Sequence, residues 1–110
     1  MIIWIRSAAI AAGKAGDAVA FVNKATKLIR DKHKVTITAS RPIAGNPTRI
    51  FWSSQHDDLQ GYELAHQEIN SDPEFLQMAI EASPFFIAGT THDEILRTFS
   101  SLARWSRWSP

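Results

Sequence analysis

A chain of 110 residues, 45% apolar and 21% charged, is long enough for one domain with one core and too apolar for a disordered segment. Lys and Arg number 12 against 11 Asp and Glu, and a net charge of +1 gives no electrostatic basis for binding nucleic acid or an anionic membrane. The absence of cysteine excludes disulfides, thiolate nucleophiles and Cys-based metal sites and suits a reducing cytoplasm, and no apolar run is long enough to span a bilayer.

From Met1 to Ala12, Ile3, Ile5, Ser7 and Ala9 alternate with Ile2, Trp4, Arg6, Ala8 and Ile10. Both faces are largely apolar, so the period of two predicts a central strand. The small residues of a signal peptide are present too, but Arg6 lies inside the apolar run instead of ahead of it, and a strand explains the segment better. Gly13 ends it. From Lys14 to Lys32, Ala15, Ala18, Val19, Val22, Ala25, Thr26 and Ile29 recur at helical spacing and predict an amphipathic helix. Gly13, Gly16 or Asp17 would cap its start, and Lys27, Arg30 and Lys32 suit the negative end of its dipole.

Two β-rich runs, Val35 to Ile43 and Thr48 to His56, flank Ala44-Gly45-Asn46-Pro47 and read as a hairpin. An even loop length sets Ile43 opposite Thr48, Ala39 opposite Trp52 and Ile37 opposite Ser54. One face then carries Val35, Ile37, Ala39, Ile43, Ile50 and Trp52 and calls for a helix over it. The other carries Thr36, Thr38, Ser40, Arg49, Phe51, Ser53 and Gln55.

His56-Asp57-Asp58 supplies caps for a second helix with Leu59, Tyr62, Ala65, His66 and Ile69 on one stripe, and Asp72-Pro73 starts a shorter helix that Ser83-Pro84 stops. Phe85 to Thr91, apolar on both faces, is the expected fourth strand, while Thr90 to Phe99 reads as strand extension or helical turn. The order strand, helix, strand, strand, helix, strand predicts an α+β ferredoxin-like βαββαβ domain, an antiparallel sheet with helices on one face, over residues 1–99, followed by a tail, 100–110. The uncovered sheet face then needs burial against a second copy, so a homodimer is expected.

Together with Ile5-Arg6-Ser7 and Gly13-Lys14, Arg41 to Gly45 around the hairpin turn, Arg49-Ile50-Phe51-Trp52 and Asp72-Pro73-Glu74-Phe75, this order resembles the dimeric α/β barrel superfamily and within it the NIPSNAP-like members. The resemblance implies two ferredoxin-like sheets paired into a barrel, and it selects no single activity. Haem-degrading members use an asparagine on the first strand with a tryptophan and a histidine on the second helix. Here the first strand offers Ser7 and the second helix Tyr62 and His66, without the Asn or the Trp. Antibiotic-biosynthesis monooxygenases use Asn, Trp and Tyr, of which only Trp52 and Tyr62 have the chemical type.

Tyr62 and His66, four residues apart, project from one side of the second helix and either orient a ligand or form a packed seam with a half-exposed histidine. Glu63-x-x-His66 has the step of a di-iron bundle but lacks a second such step, and the four histidines fall on different elements, so no metal or cofactor is expected. Arg-Trp-Ser occurs twice in the tail, which reads as a strap on a partner subunit or a frayed end, with too little charge for nucleic acid. The leading expectation is a small-molecule pocket between the sheet and the second helix. Trp4 or Phe51 would be its stacking wall, Arg6 or Arg49 its anion contact, and Tyr62 with His66 its polar edge. The alternatives are a cofactor-independent monooxygenase or isomerase with His66 as base, and a structural dimerisation module without a ligand.

Overall fold

A computed structural model of the chain describes residues 1–99, so the tail lies outside the described residues. Four strands, β1 (Ile2–Ala9), β2 (Thr38–Ser40), β3 (Arg49–His56) and β4 (His92–Arg97), form one sheet in the order β2-β3-β1-β4, antiparallel throughout. The helices are α1 (Ala15–Leu28), α2 (Leu59–Asn70) and α3 (Pro73–Ala82). β1 is central, as its two apolar faces require. Ile2, Trp4 and Ala8 are buried on the helix side, and Ile3 and Ile5 are only partly covered on the other.

α1 buries Ala18, Val22 and Ala25, and Ile29 continues the same stripe into the next turn. This stripe meets Ile10 and Ile50 to form the core, with Phe21, Trp52, Phe85 and Phe86 packed around it. Lys14 holds the cap position of α1 and makes no side-chain cap bond, so none of the three expected residues caps it. The helix closes through a π turn, Ile29–His33, and Lys34 exits with φ +59°.

Asp72 ties that exit to α3. Its carboxylate accepts from Lys32 Nζ at 2.9 Å, lies 2.7 Å from His33 Nε2, and caps α3 by accepting from Glu74 N at 3.0 Å. The side chain is only 2% exposed, and the bonds from His33 and Lys32 hold its pKa down at about 2. Asp72→Ala removes a helix cap and the acceptor of two side chains in one step. Thermal unfolding should show a clear drop in Tm at pH 7, larger than for Asp17→Ala, whose ion pair with Lys14 is long at 3.9 Å and exposed.

The expected hairpin register holds, since Ala39 pairs with Trp52, but β2 is three residues long instead of running from Val35 to Ile43. Pro42 and Pro47 remove donors from the turn, and side chains close it instead. Asn46 Oδ1 accepts from Thr48 N at 2.9 Å, and Arg41 Nη2 donates to Pro47 O at 3.1 Å.

The fourth strand is not Phe85 to Thr91. Ser83–Phe85 forms a 3₁₀ turn, Phe86 makes a single bridge to Ile10, and the strand begins at His92. Phe86 is drawn into the core between Phe21 and Trp52, with ring centroids 6.1 and 5.7 Å away. Between the Ile10–Phe86 bridge and the Ser7–His92 pair, β1 advances three residues and the returning chain six, so the segment between must bulge. Gly89 makes the bend at φ +80°, and Thr90 pins it by accepting from Ala9 N and donating to Ile87 O. β4 itself is not apolar on both faces, because Asp93 and Glu94 point to opposite sides.

Candidate functional site

Antiparallel pairing fixes which side chains share the helix side of the sheet. Ile2, Trp4 and Arg6 of β1 stand with His56, Ser54 and Trp52 of β3 and with Arg97, Ile95 and Asp93 of β4. α2 crosses above one end of this face. Asp58 positions it by accepting from Gly61 N at 2.7 Å, and the four-residue spacing then turns Tyr62 and His66 together toward the strands.

The result is a seam of four rings. Trp4 meets His66 edge-on at a centroid distance of 4.6 Å, and Tyr62 lies 4.3 Å from His66. His56 stands 5.6 Å from Tyr62 and 6.1 Å from His66, with its Nε2 2.8 Å from Ser54 Oγ. Trp4 is 5% exposed, and its indole Nε1–H is buried without an acceptor among the described residues. Buried donors nearly always find a partner, so an unsatisfied one beside a layer of polar rings marks a place where an acceptor belongs.

The seam is uncharged at neutral pH. Burial, then the neighbouring His56 and Arg6, push His66 down to about 4, and burial also lowers His56. Burial raises the Tyr62 phenol, which stays protonated. At the margin, Arg6 Nε and Nη2 donate to the two oxygens of Asp93 at 2.7 and 2.8 Å, and the guanidinium lies 5.4 Å from the Trp4 ring centroid. This pair holds Arg6 above its usual value and Asp93 below it. Arg6 therefore faces the seam with its charge already matched.

Of the sequence candidates, the structure brings together Trp4, Arg6, Tyr62 and His66. It does not bring Arg49 or Phe51 to them. Those two lie on the opposite face of the sheet, where Phe51 pairs with Ser7 and Arg49 Nη2 donates to Ser7 Oγ at 2.9 Å and Thr90 O at 2.8 Å. Within each expected alternative, then, Trp4 and not Phe51 is the ring at the second helix, and Arg6 and not Arg49 is the guanidinium. Sequence reasoning missed Asp93 as a site residue and placed His56 only among the capping residues of the second helix. The signal for His56 was available, because Ser54 and His56 share the face of Trp52 by period two. Asp93 was hidden by the misplaced fourth strand. Among the described residues no group of three or more His, Cys, Asp or Glu side chains is placed to hold a metal ion.

No family model matches the sequence. No curated protein matches it either. Solved structures do: an uncharacterized NIPSNAP domain protein from Burkholderia xenovorans superposes with a TM-score of 0.75 at 14% identity, covering 92% of this chain and 99% of its own. This chain has the ferredoxin-like fold of NIPSNAP-domain proteins. A NIPSNAP family protein of unknown function from Agrobacterium tumefaciens gives 0.75 at 14% identity over 93% of both chains. SnoaB, a cofactor-independent oxygenase from Streptomyces nogalater, gives 0.66 at 10% identity over 92% of this chain and 95% of its own. The NIPSNAP and oxygenase structures thus share one scaffold with this chain, and at such identities the likeness carries the fold and not the activity.

Proposed function

We propose that this NIPSNAP-fold protein binds a small, neutral, polar aromatic molecule in the seam between the sheet and α2. The observation that carries the reading is the buried Trp4 N–H without an acceptor, set against His66 and Tyr62. A ligand carbonyl or hydroxyl oxygen would satisfy that donor, and its ring would replace part of the ring-to-ring contact. The matched Arg6–Asp93 pair argues against an anion here, since a second anion would compete with Asp93 for one guanidinium. His66 as a general base is less well supported, because a group with a pKa near 4 is a weak proton acceptor at neutral pH. The oxygenase reading would need a bound substrate to raise it.

We also infer a homodimer paired through the face opposite the helices. Ile3 and Ile5 are only partly covered there, and Leu96 is 43% exposed. The absence of cysteine favours a reducing compartment such as the cytoplasm. Among the described residues no helix is long and apolar enough to cross a membrane.

Native mass spectrometry of the freshly purified protein tests both readings in one spectrum. A dimer carrying an uncharged aromatic adduct that is lost in His66→Ala is the expected result. An adduct retained unchanged in His66→Ala and Trp4→Phe would move the ligand elsewhere, and a monomer at low micromolar concentration would remove the dimer.

A further inference from the structure

The guanidiniums gathered beside the hairpin loop mark a second site. A hollow of about 380 Å³ lies between the hairpin loop and the start of β3, with Ser40, Arg41, Asn46, Arg49 and Phe51 among its lining residues. It contains two guanidiniums and no carboxylate. Unlike Arg6, whose guanidinium is matched by Asp93, Arg41 and Arg49 make no ion pair among the described residues.

Both guanidiniums are nonetheless held in place. Arg49 uses Nη2 on Ser7 Oγ and Thr90 O, and Arg41 uses Nη2 on Pro47 O. Anchoring through one nitrogen orients each planar fork, and both side chains line the hollow, which lowers the entropy lost when a ligand is captured. The loop between them is shaped by Gly45 at φ +105°, a conformation that side-chain-bearing residues rarely adopt. Phe51 adds an apolar ring to the lining.

We propose that this hollow binds an aromatic carboxylate, its carboxylate held by Arg41 and Arg49 and its ring against Phe51. Guanidinium forks match carboxylates in geometry and charge, and an aromatic floor selects a flat apolar body over a bare inorganic anion. The site is independent of the seam at α2: it lies on the other face of the sheet, shares no residue with the seam, and takes an anion where the seam takes a neutral molecule.

The test is an NMR titration of the full-length protein with benzoate, with benzamide as its uncharged counterpart and inorganic phosphate as the bare anion. Benzoate should shift the amides of Ser40, Gly45 and Phe51, benzamide should not, and phosphate should act at least about tenfold more weakly. Arg41→Ala, at an exposed loop position, should weaken benzoate about tenfold while leaving the rest of the spectrum intact. Arg49→Gln should do the same, and Arg41→Ala keeps the test decisive if loss of the Thr90 anchor unfolds the other variant. Equal binding of benzoate and benzamide, equal binding by Arg41→Ala, or phosphate binding as tightly as benzoate would overturn the proposal. So would a dimer that ignores benzoate and dissociates in Arg41→Ala, since a carboxylate of the second copy would then be the occupant.

Discussion

Trp4→Ala should cost about 3–5 kcal/mol of stability in chemical denaturation, a large part of the roughly 5–15 kcal/mol available to a domain of this size. Trp4 is 5% exposed in the middle of the central strand, beneath His66 and beside Arg6, so truncation opens a cavity that two neighbouring strands cannot collapse. Trp4→Phe should behave differently, lying within about 1 kcal/mol of the wild type. It leaves a smaller gap, and it deletes a buried donor that has no acceptor among the described residues, so a packing loss and a desolvation gain oppose one another. At Trp52, which packs on Phe86 and is only partly buried, no such compensation is expected on this ground. The diagnostic result is therefore a well-folded Trp4→Phe protein that has lost its seam ligand.

Acidification should unfold the protein in two stages that different residues control. His66 is pushed down to about 4 from an ordinary 6.5, and His56 is lowered in the same direction. For a base whose folded pKa is depressed, the unfolded chain takes up the proton first. Stability is thus complete above about pH 6.5 and is lost as pH falls from there to about 4. In a full interior His66 alone would be worth roughly 3 kcal/mol, and solvent screening at this half-buried position cuts that to about 1–2 kcal/mol. Asp72 governs the next window. Its folded pKa is near 2 against 3.8, so its contribution is present above about pH 4 and disappears as pH falls toward 2. Urea titrations at closely spaced pH values should show His66→Phe flattening the slope between pH 6.5 and 4 without altering the lower one, and Asp72→Asn doing the reverse. A wild-type stability that stays constant from pH 7 to 4.5 would contradict the neutral histidine seam.

Much of the scaffold was legible because strand and helix periods are short-range properties. The Ala39–Trp52 register follows from alternation and an even turn, and the α1 stripe of Ala18, Val22, Ala25 and Ile29 follows from the period of 3.6. The extent of β2 was not legible, because prolines and side-chain bonds in the turn decide where pairing stops. The fourth strand failed for a related reason. An apolar run such as Phe85-Phe86-Ile87 is equally suited to a buried strand and to a plug in the core, and only the position of Phe21 and Trp52 decides between them. That one misplacement concealed Asp93, and with it the fact that Arg6 is already paired. Tyr62 and His66 were visible as a helical step, yet their neutrality comes from burial against Trp4 and His56, residues far apart in sequence.

The proposed donor of the neutral ligand site is Trp4, and its indole N–H resonance reports on binding there directly. After assignment by Trp4→Phe, the resonance should move downfield when the protein is titrated with 4-hydroxyacetophenone, whose carbonyl is an acceptor. The shift should be lost or weakened at least several-fold in His66→Ala and should survive Arg41→Ala. An indole resonance that stays fixed while other signals respond, or one that responds equally in His66→Ala, would contradict a binding seam at α2 and leave Trp4 as a packed core residue.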